Sequence, residues 1–480
     1  MAIESATAYR VTLSSIGTGT FGIPLSLSQS RTAGNPPRVS SLAYYPCSPY
    51  ARRYYMKTSR ARGPRYAVRG GAVLRGAVRI SGGKNAALAS MCAALLTDGD
   101  VVLKNVPEIS DADTLGELLD SLGAKVERRK DGAIALNGAN VRTFEAPTEL
   151  ITENRASFQV MGPLLARHGH AASAPPGGDV IGQRPIDVHL AGFVALGATV
   201  ERVGERYVAS APGDGLKGAR IFMDYASVTG TQNVLMAAVL ACGRSTLVNA
   251  ATEPEVQDLC HLLNAMGAKV TGIGSQILEV EGVESLHGAE ISVMPDRIEA
   301  GTFAIAAAIT GGDITITDAP VGVMDAILHK LRAAGAGVET TATTMRVSRS
   351  GELRSVSFQA LPYPGLPTDL HAPMAAMLTQ AAGVSIIHER VFDNRMLYVG
   401  ELRKMGGEIV STGSSAIVSG PTPLHGAHVR ALDVRAGAAV LLAALAAQGT
   451  TYIDEIAHLD RGYEHLEEKL RSLGVEIERT

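Results

Sequence analysis

Leu122-Gly123-Ala124-Lys125-Val126 recurs with small changes five more times along the chain. The later copies are Leu196-Gly197-Ala-Thr-Val, Met266-Gly267-Ala-Lys-Val, Ala334-Gly335-Ala-Gly-Val, Met405-Gly406-Gly-Glu-Ile and Leu473-Gly474-Val-Glu-Ile. Each ends a segment of helical period and opens an alternating strand, so its glycine suits the left-handed position after a helix end. These glycines stand 74, 70, 68, 71 and 68 residues apart. A second glycine precedes each by 23 to 28 residues: Gly99, Gly169, Gly243, Gly312, Gly383 and Gly449. It closes an Ala-rich helix, such as residues 85–96 or 231–241, and a strand such as Val101-Val102-Leu103 follows. Each unit therefore reads strand, helix, strand, helix, strand, strand over about 70 residues, too long a period for a common solenoid. The expected fold is α/β, with two similar lobes of three βαβαββ units each and a cleft between them. Met294-Pro-Asp-Arg-Ile-Glu299 falls between the third and fourth units and is the expected crossing point. Clefts between domains are preferred ligand sites.

Composition excludes several functions. With 480 residues the chain exceeds one ordinary core, and with 46% hydrophobic residues it is a packed globular protein. Tryptophan is absent and aromatics are 4%, so a base-stacking platform is not expected. No apolar run approaches the roughly 18 to 20 residues of a membrane span. Cys47, Cys92, Cys242 and Cys260 have no metal-ligand spacing, and the last three sit in Ala/Leu-rich patterns expected to bury them as reduced thiols. Residues 1–65 hold nine basic residues, one acidic residue (Glu4) and sixteen Ser or Thr. That leader reads as an organelle transit peptide, plastid rather than mitochondrial, with a plain tail on a cytoplasmic protein as the alternative. Without it the net charge moves from −3 to −11, which disfavours nucleic acid as a partner. Gly17-Thr-Gly19-Thr-Phe-Gly22 has the letters of a dinucleotide fingerprint but no preceding strand, and Pro24 blocks the helix that should follow.

Against the regular repeat, some polar residues stand out. Residues 175–189, Pro-Pro-Gly-Gly-Asp179-Val-Ile-Gly-Gln-Arg184-Pro185-Ile186-Asp187-Val188-His189, show no helical or strand period. Such a segment is either a surface connection or a functional loop, and its length suits a lid over the cleft. Ser81-Gly-Gly-Lys84-Asn85 lies between a strand and an Ala-rich helix; it is either a plain helix start or a seat for phosphate or carboxylate. Arg155, Arg184, Arg395, Arg435 and Arg461 each fall in or beside what reads as the first helix of a unit. Together they indicate a basic cleft for a multiply anionic ligand, since guanidinium matches phosphate and carboxylate. Asp369 and Asp433 are carboxylates in the same context.

With these motifs, and with Arg155-Ala-Ser, Pro-Asp296-Arg297-Ile-Glu-x-Gly-Thr-Phe, Pro-Thr-Asp369, Asn-Arg395 and Asp460-Arg461-Gly-Tyr-Glu, the chain resembles the UDP-N-acetylglucosamine enolpyruvyl transferases over about residues 66–480. The resemblance implies an inside-out α/β barrel in each lobe. Residues 84–294 would form the first lobe, and residues 66–83 with 295–480 the second. It implies transfer of the enolpyruvyl group of phosphoenolpyruvate to a sugar 3-hydroxyl. Lys84, Arg184 and Arg461, with Asn85, would hold phosphoenolpyruvate. Asn85, Arg155, Pro185, Ile186, Asp187, Val188, Ser227, Val228, Asp369 and Val391 would hold UDP-N-acetylglucosamine. Asp369 would also assist deprotonation of the hydroxyl, and Arg395, Asp433 and Arg435 would line the cleft. No cofactor or metal is implied, and a monomer with no membrane partner is expected.

The chemistry asks for one group that protonates the vinyl carbon and then takes the proton back, a base at the hydroxyl, and fixed positive charge around the phosphate. Many family members carry cysteine after Pro-Gly-Gly; this chain has Asp179, as some members do. Fosfomycin acts in the family by alkylating that cysteine, so resistance is expected here. Thr229 replaces a residue that is often glycine in the family. Two other readings share the fold: a shikimate 3-phosphate enolpyruvyl transferase and a non-catalytic sugar-nucleotide binder. Lys84-Asn85-Ala-Ala-Leu, in place of a Ser-Lys-Ser run, counts against the first. Retention of Lys84, Asp179, Arg184, Asp369 and Arg461 counts against the second.

Overall fold

A computed structural model describes residues 63–179, 181, 182 and 185–480. The expectations for the leader, for Cys47 and for Arg184 lie outside the described residues.

All six repeat glycines are left-handed, with φ between +94° and +100°. At Gly123 the reason is visible in the hydrogen bonds. Gly123 N donates to Asp120 O (2.8 Å) and Ala124 N to Leu119 O (3.0 Å), so two end carbonyls of helix Ser110–Ser121 are satisfied as the chain turns into a strand. The same pair of bonds closes the helix before Gly474. The two glycines differ in surroundings, which gives a test. A Cβ at Gly474 meets nothing within 4 Å, whereas one at Gly123 would stand 2.5 Å from Asn140 O. Gly474→Ala is expected to cost about 1–2 kcal/mol for backbone handedness alone. Gly123→Ala should cost more, read as the difference between their denaturant midpoints.

Among the described residues the strands form six sheets, one per unit. The third unit shows the pattern: Arg220–Phe222 runs parallel to Arg244–Val248, whose other edge pairs with the hairpin Lys269–Thr271 and Ile277–Glu281. Some sheets are completed from far along the chain. Ala289–Ser292 runs parallel to Val101–Lys104, and Arg75–Arg79 parallel to Asp313–Thr317. Tyr66–Arg69 lies antiparallel between Thr450–Asp454 and Glu476–Arg479. The second unit departs from the pattern, since the single bridge Glu145–Ala172 stands where its first strand is expected.

The sheets lie outside and the first helix of each unit lies inside. Arg297–Thr310, His371–Leu378 and Val434–Ala446 pack on one another, and Val228–Ala238 packs on Met161–His168 and Lys84–Ala93. Alanine is frequent here because buried helices this close leave no room for branched side chains. Gly162 marks the limit: a Cβ there would stand 2.2 Å from Asn233 O. Buried apolar side chains fall into two clusters. One runs from Ala86 to Val293; the other joins Tyr66–Ile80 residues to Ile298 and beyond.

The chain passes between these clusters twice, side by side. Gly83 N donates to Met294 O (2.7 Å) and Asp296 N to Ser81 O (2.8 Å). Asp296 then caps helix Arg297–Thr310, and Arg297 pairs through two nitrogens with buried Glu255 of the first cluster's helix Pro254–Ala265 (3.0 and 3.3 Å). Breaking such a buried pair strands a charge, so the junction is specified as well as tied.

Other expectations are corrected. The helices drawn at 85–96 and 231–241 are Lys84–Ala93, followed by a 3-10 turn, and Val228–Ala238. Gly311 rather than Gly312 closes helix Arg297–Thr310. Gly99 is needed for a different reason, since a Cβ there would stand 2.4 Å from Gly288 N. Cys242 is exposed, while Cys92 and Cys260 are buried and their thiols are pushed up by burial, Cys260 to about 12. Residues 187–189 are helical, opening Asp187–Ala195. Among the described residues no helix is long and apolar enough to cross a membrane, and no group of three or more His, Cys, Asp or Glu is placed to hold a metal ion.

Candidate active site

Three carboxylates organise the polar residues beside the crossing. The first is Asp111, in the first turn of Ser110–Ser121 and only 3% exposed. Lys84 Nζ takes its Oδ2, and Arg461 Nε takes its Oδ1 at 2.9 Å. Lys84 opens its helix directly after the paired crossing, whereas Arg461 follows the short helix Ala457–Asp460 at the other end of the sequence. Two cations held this close repel, and Asp111 is the charge that lets them share a site.

The second carboxylate is Asp179, in the 175–189 loop. Its Oδ1 meets Arg461 Nη1, and His458 Nδ1 stands 3.8 Å from the same atom. Burial by itself opposes charge on Arg461, but Asp179 and Asp111 outweigh it and hold the guanidinium firmly protonated. The loop also touches the segment after strand Ala381–Glu389: Asn394 N donates to Ile181 O at 3.2 Å. Asp179 and Ile181 thus join this loop to Arg461 and Asn394, far along the chain.

The third is Asp369, in the 3-10 turn Thr368–Leu370. Arg395 Nη2 donates to its Oδ1 (2.8 Å) and Arg435 Nη2 to its Oδ2 (3.0 Å). Burial alone would raise its pKa, but Arg435 and Arg395, with Arg297 behind them, hold the carboxyl well below the usual carboxylate range. Arg395 is itself aimed by a chain of hydrogen bonds. Its Nη1 donates to Thr368 Oγ1 (2.8 Å), Thr368 donates to Glu389 (2.7 Å), His371 Nδ1 bonds the same carboxylate (2.8 Å), and Tyr398 bonds His371 Nε2 (2.8 Å). Glu389 also accepts from Val391 N (2.7 Å), which fixes the backbone of a residue expected at the sugar nucleotide.

A fourth group lies around the C-terminal end of the 175–189 loop. Arg155 Nη2 donates to Pro185 O (3.0 Å), and Tyr225 donates to Asp187 Oδ1 (2.7 Å). Arg155 has no carboxylate partner among the described residues, and burial disfavours its charge. Ser227 caps Val228–Ala238 by accepting from Gly230 N (3.1 Å). Thr229 Oγ1 lies 3.4 Å from His189 Nε2, and Asn233 holds Nδ1 at 3.0 Å. His189 is buried, its pKa lowered to about 3 by that burial and then by Arg155, so the ring is neutral and braces the helix behind the site.

The structure thus brings Lys84, Asp179 and Arg461 into one cluster, Asp369, Arg395 and Arg435 into another, and Arg155, Pro185 and Asp187 into a third. Asn85 and Val391 are exposed, Ile186 and Val228 are half-buried, and Val188 is buried. The expectation of a basic cleft is corrected, because Arg395, Arg435 and Arg461 each carry a carboxylate partner. Arg395 and Arg461 also sit beside the second helix of a unit, not the first. Asp433 is corrected to a structural role: its Oδ1 caps Val434–Ala446 at Arg435 N (2.7 Å) and Ala436 N (3.0 Å). Asp111, Tyr225, His458 and the Thr368–Glu389–His371–Tyr398 chain were not anticipated. Asp111 in Glu-Ile-Ser-Asp reads as an ordinary acid in a first helical turn, so sequence offers no signal for it.

Residues 68–470 match the family described as EPSP synthase (3-phosphoshikimate 1-carboxyvinyltransferase). Proteins named UDP-N-acetylglucosamine 1-carboxyvinyltransferase from Hyphomonas neptunium and Magnetococcus marinus are each 47% identical, over 414 and 413 residues. Those matches cover 85% and 86% of this chain and 97% and 98% of theirs. The crystal structure of the enolpyruvyl transferase NikO from Streptomyces tendae superposes with a TM-score of 0.80 at 27% identity, covering 88% of this chain and 99% of that one. EPSP synthase from Acinetobacter baumannii, at TM-score 0.68 and 18% identity over 87% of this chain and all of that one, shares the fold.

Proposed function

Because the chain belongs to the UDP-N-acetylglucosamine 1-carboxyvinyltransferases, enzymes of the enolpyruvyl transferase fold, we propose that it moves the enolpyruvyl group of phosphoenolpyruvate to the 3-hydroxyl of UDP-N-acetylglucosamine. The hydroxyl oxygen attacks C2 as C3 gains a proton, giving a tetrahedral intermediate. C3 then returns that proton and phosphate departs, leaving an enol ether. This is the first committed step of peptidoglycan synthesis. The observation that carries the reading is the cluster in which Lys84 and Arg461 share Asp111 while Arg461 also reaches Asp179. Cations suited to carboxylate and phosphate lie there beside a carboxyl able to exchange a proton.

Asp179 takes the place that cysteine holds in many relatives and delivers the proton to C3. A carboxylate ion-paired to guanidinium is in its charged form, so Asp179 gives up Arg461 Nη1 to the phosphoenolpyruvate before it acts as acid. Asp369, with both oxygens aimed by arginines, receives the 3-hydroxyl. Arg155, with Pro185, Ile186, Asp187, Val188, Ser227 and Val228, holds the nucleotide. Arg184 adds a further cation to the phosphate. An enzyme without the thiol resists fosfomycin. Residues 1–65 carry the protein into a plastid.

Phosphate release by the full chain with both substrates, with and without fosfomycin, tests the reading. Equal turnover in both is expected. Release with shikimate 3-phosphate instead, or none while the UDP-sugar binds, overturns the substrate assignment.

A further inference from the structure

Asp111 belongs to none of the steps above, yet it contacts two of the cations they use. It is buried, it lies in the first cluster's helix Ser110–Ser121, and Arg461 reaches it from 350 residues away. Its surroundings fix its orientation. The helix N-terminus favours a carboxylate in the first turn. Asn154 Nδ2 donates to Asp111 O (3.1 Å), while Asn154 Oδ1 accepts from Ala156 N (2.9 Å) and so caps the turn that begins at Arg155. One short chain of contacts therefore runs from Arg461 through Asp111 and Asn154 to Arg155.

We propose that Asp111 is a positioning residue for phosphoenolpyruvate: its two oxygens hold Lys84 Nζ and Arg461 Nε at a fixed separation, so that both cations are aimed at the anion before it arrives. This rests on the assignment of phosphoenolpyruvate to Lys84 and Arg461. Without the carboxylate the two cations repel. Arg461, the one carried by the other half of the molecule, then loses its anchor there and keeps only Asp179. Flexible side chains that must be gathered when the substrate binds contribute less than prealigned ones, and an ångström of misplacement at a reacting centre costs on the order of 100-fold. Asp111 touches neither substrate in this scheme; it acts through Lys84 and Arg461.

The test uses Asp111→Asn, which keeps the shape and removes the charge, and Asp111→Glu, which keeps the charge. Asp111→Asn is expected to raise the KM for phosphoenolpyruvate about tenfold or more and to lower kcat, because aim as well as affinity is lost. Its calorimetric affinity for UDP-N-acetylglucosamine should stay at the wild-type value, and Asp111→Glu should recover part of the loss. A folded Asp111→Asn enzyme with unchanged KM and kcat overturns the inference. So does an equal loss for both substrates that Asp111→Glu fails to relieve, since that marks a structural role. Wild-type enzyme is the control: if it does not turn over these substrates, the proposed function fails rather than this inference.

Discussion

Asp369→Asn is expected to lower kcat for phosphate release by about three orders of magnitude, the middle of the range for a positioned general base. The carboxylate is shared between Arg395 (2.8 Å) and Arg435 (3.0 Å), and these arginines hold it ionised against the effect of burial. A base this weak accepts a proton only late, once bond formation at C2 has made the sugar hydroxyl acidic. In the proposed reaction its main service is to fix the oxygen's line of attack and to be charged without fail. An amide accepts one hydrogen bond from an arginine but cannot take the proton, and it leaves two nearly buried guanidinium groups without a counter-charge. A stability loss of ~3 kcal/mol should accompany the kinetic one. The sign follows from the depressed pKa: the ion pairs stabilise the fold above the unfolded-state value of about 4 and fade only as pH falls towards the folded value. The wild-type acid limb of kcat therefore reports some group other than Asp369. A variant within tenfold of wild-type kcat would sink the role given to Asp369. Unfolding in guanidinium separates the stability loss from the chemical one.

Asp179→Asn is expected to lose about 10²–10⁴-fold in turnover, because the amide neither gives nor takes the proton at C3. The more telling variant is Asp179→Cys. It should retain measurable turnover and should become inactivated by fosfomycin, which the parent enzyme is expected to resist, since a thiol can open the epoxide through its thiolate. Time-dependent inactivation with a mass increase on the cysteine is the readout. Parent enzyme that is itself inactivated by fosfomycin would defeat the idea, as would an Asp179→Asn variant with normal turnover. Arg461 and His458 flank Asp179. A thiolate at that position would be stabilised by the same neighbours, so the swap asks little of the rest of the site.

The sequence alone determined the local grammar of this fold. Each repeat glycine was readable because the turn from a helix into a strand needs a left-handed residue, a demand of backbone chirality that involves only neighbours in sequence. The six units and the Ala-rich inner helices follow from period and composition, while the aperiodic stretch 175–189 proved helical from Asp187 onward. The arginines and Asp369 were identified by motif. Tertiary structure decided what those residues touch. It drew Ala289–Ser292 into the first sheet. It set Tyr66–Arg69 into the last sheet, where the family resemblance had implied only that residues 66–83 belong to the second lobe. It paired Arg461 with Asp111, turned an expected basic cleft into arginines matched with carboxylates, made Asp433 a helix cap and left Cys242 at the surface. The reason is physical. Handedness and amphipathic period are fixed within a few residues, but a buried charge takes whichever partner the packing of distant elements brings within reach, and nothing in Glu-Ile-Ser-Asp111 records a guanidinium 350 residues downstream.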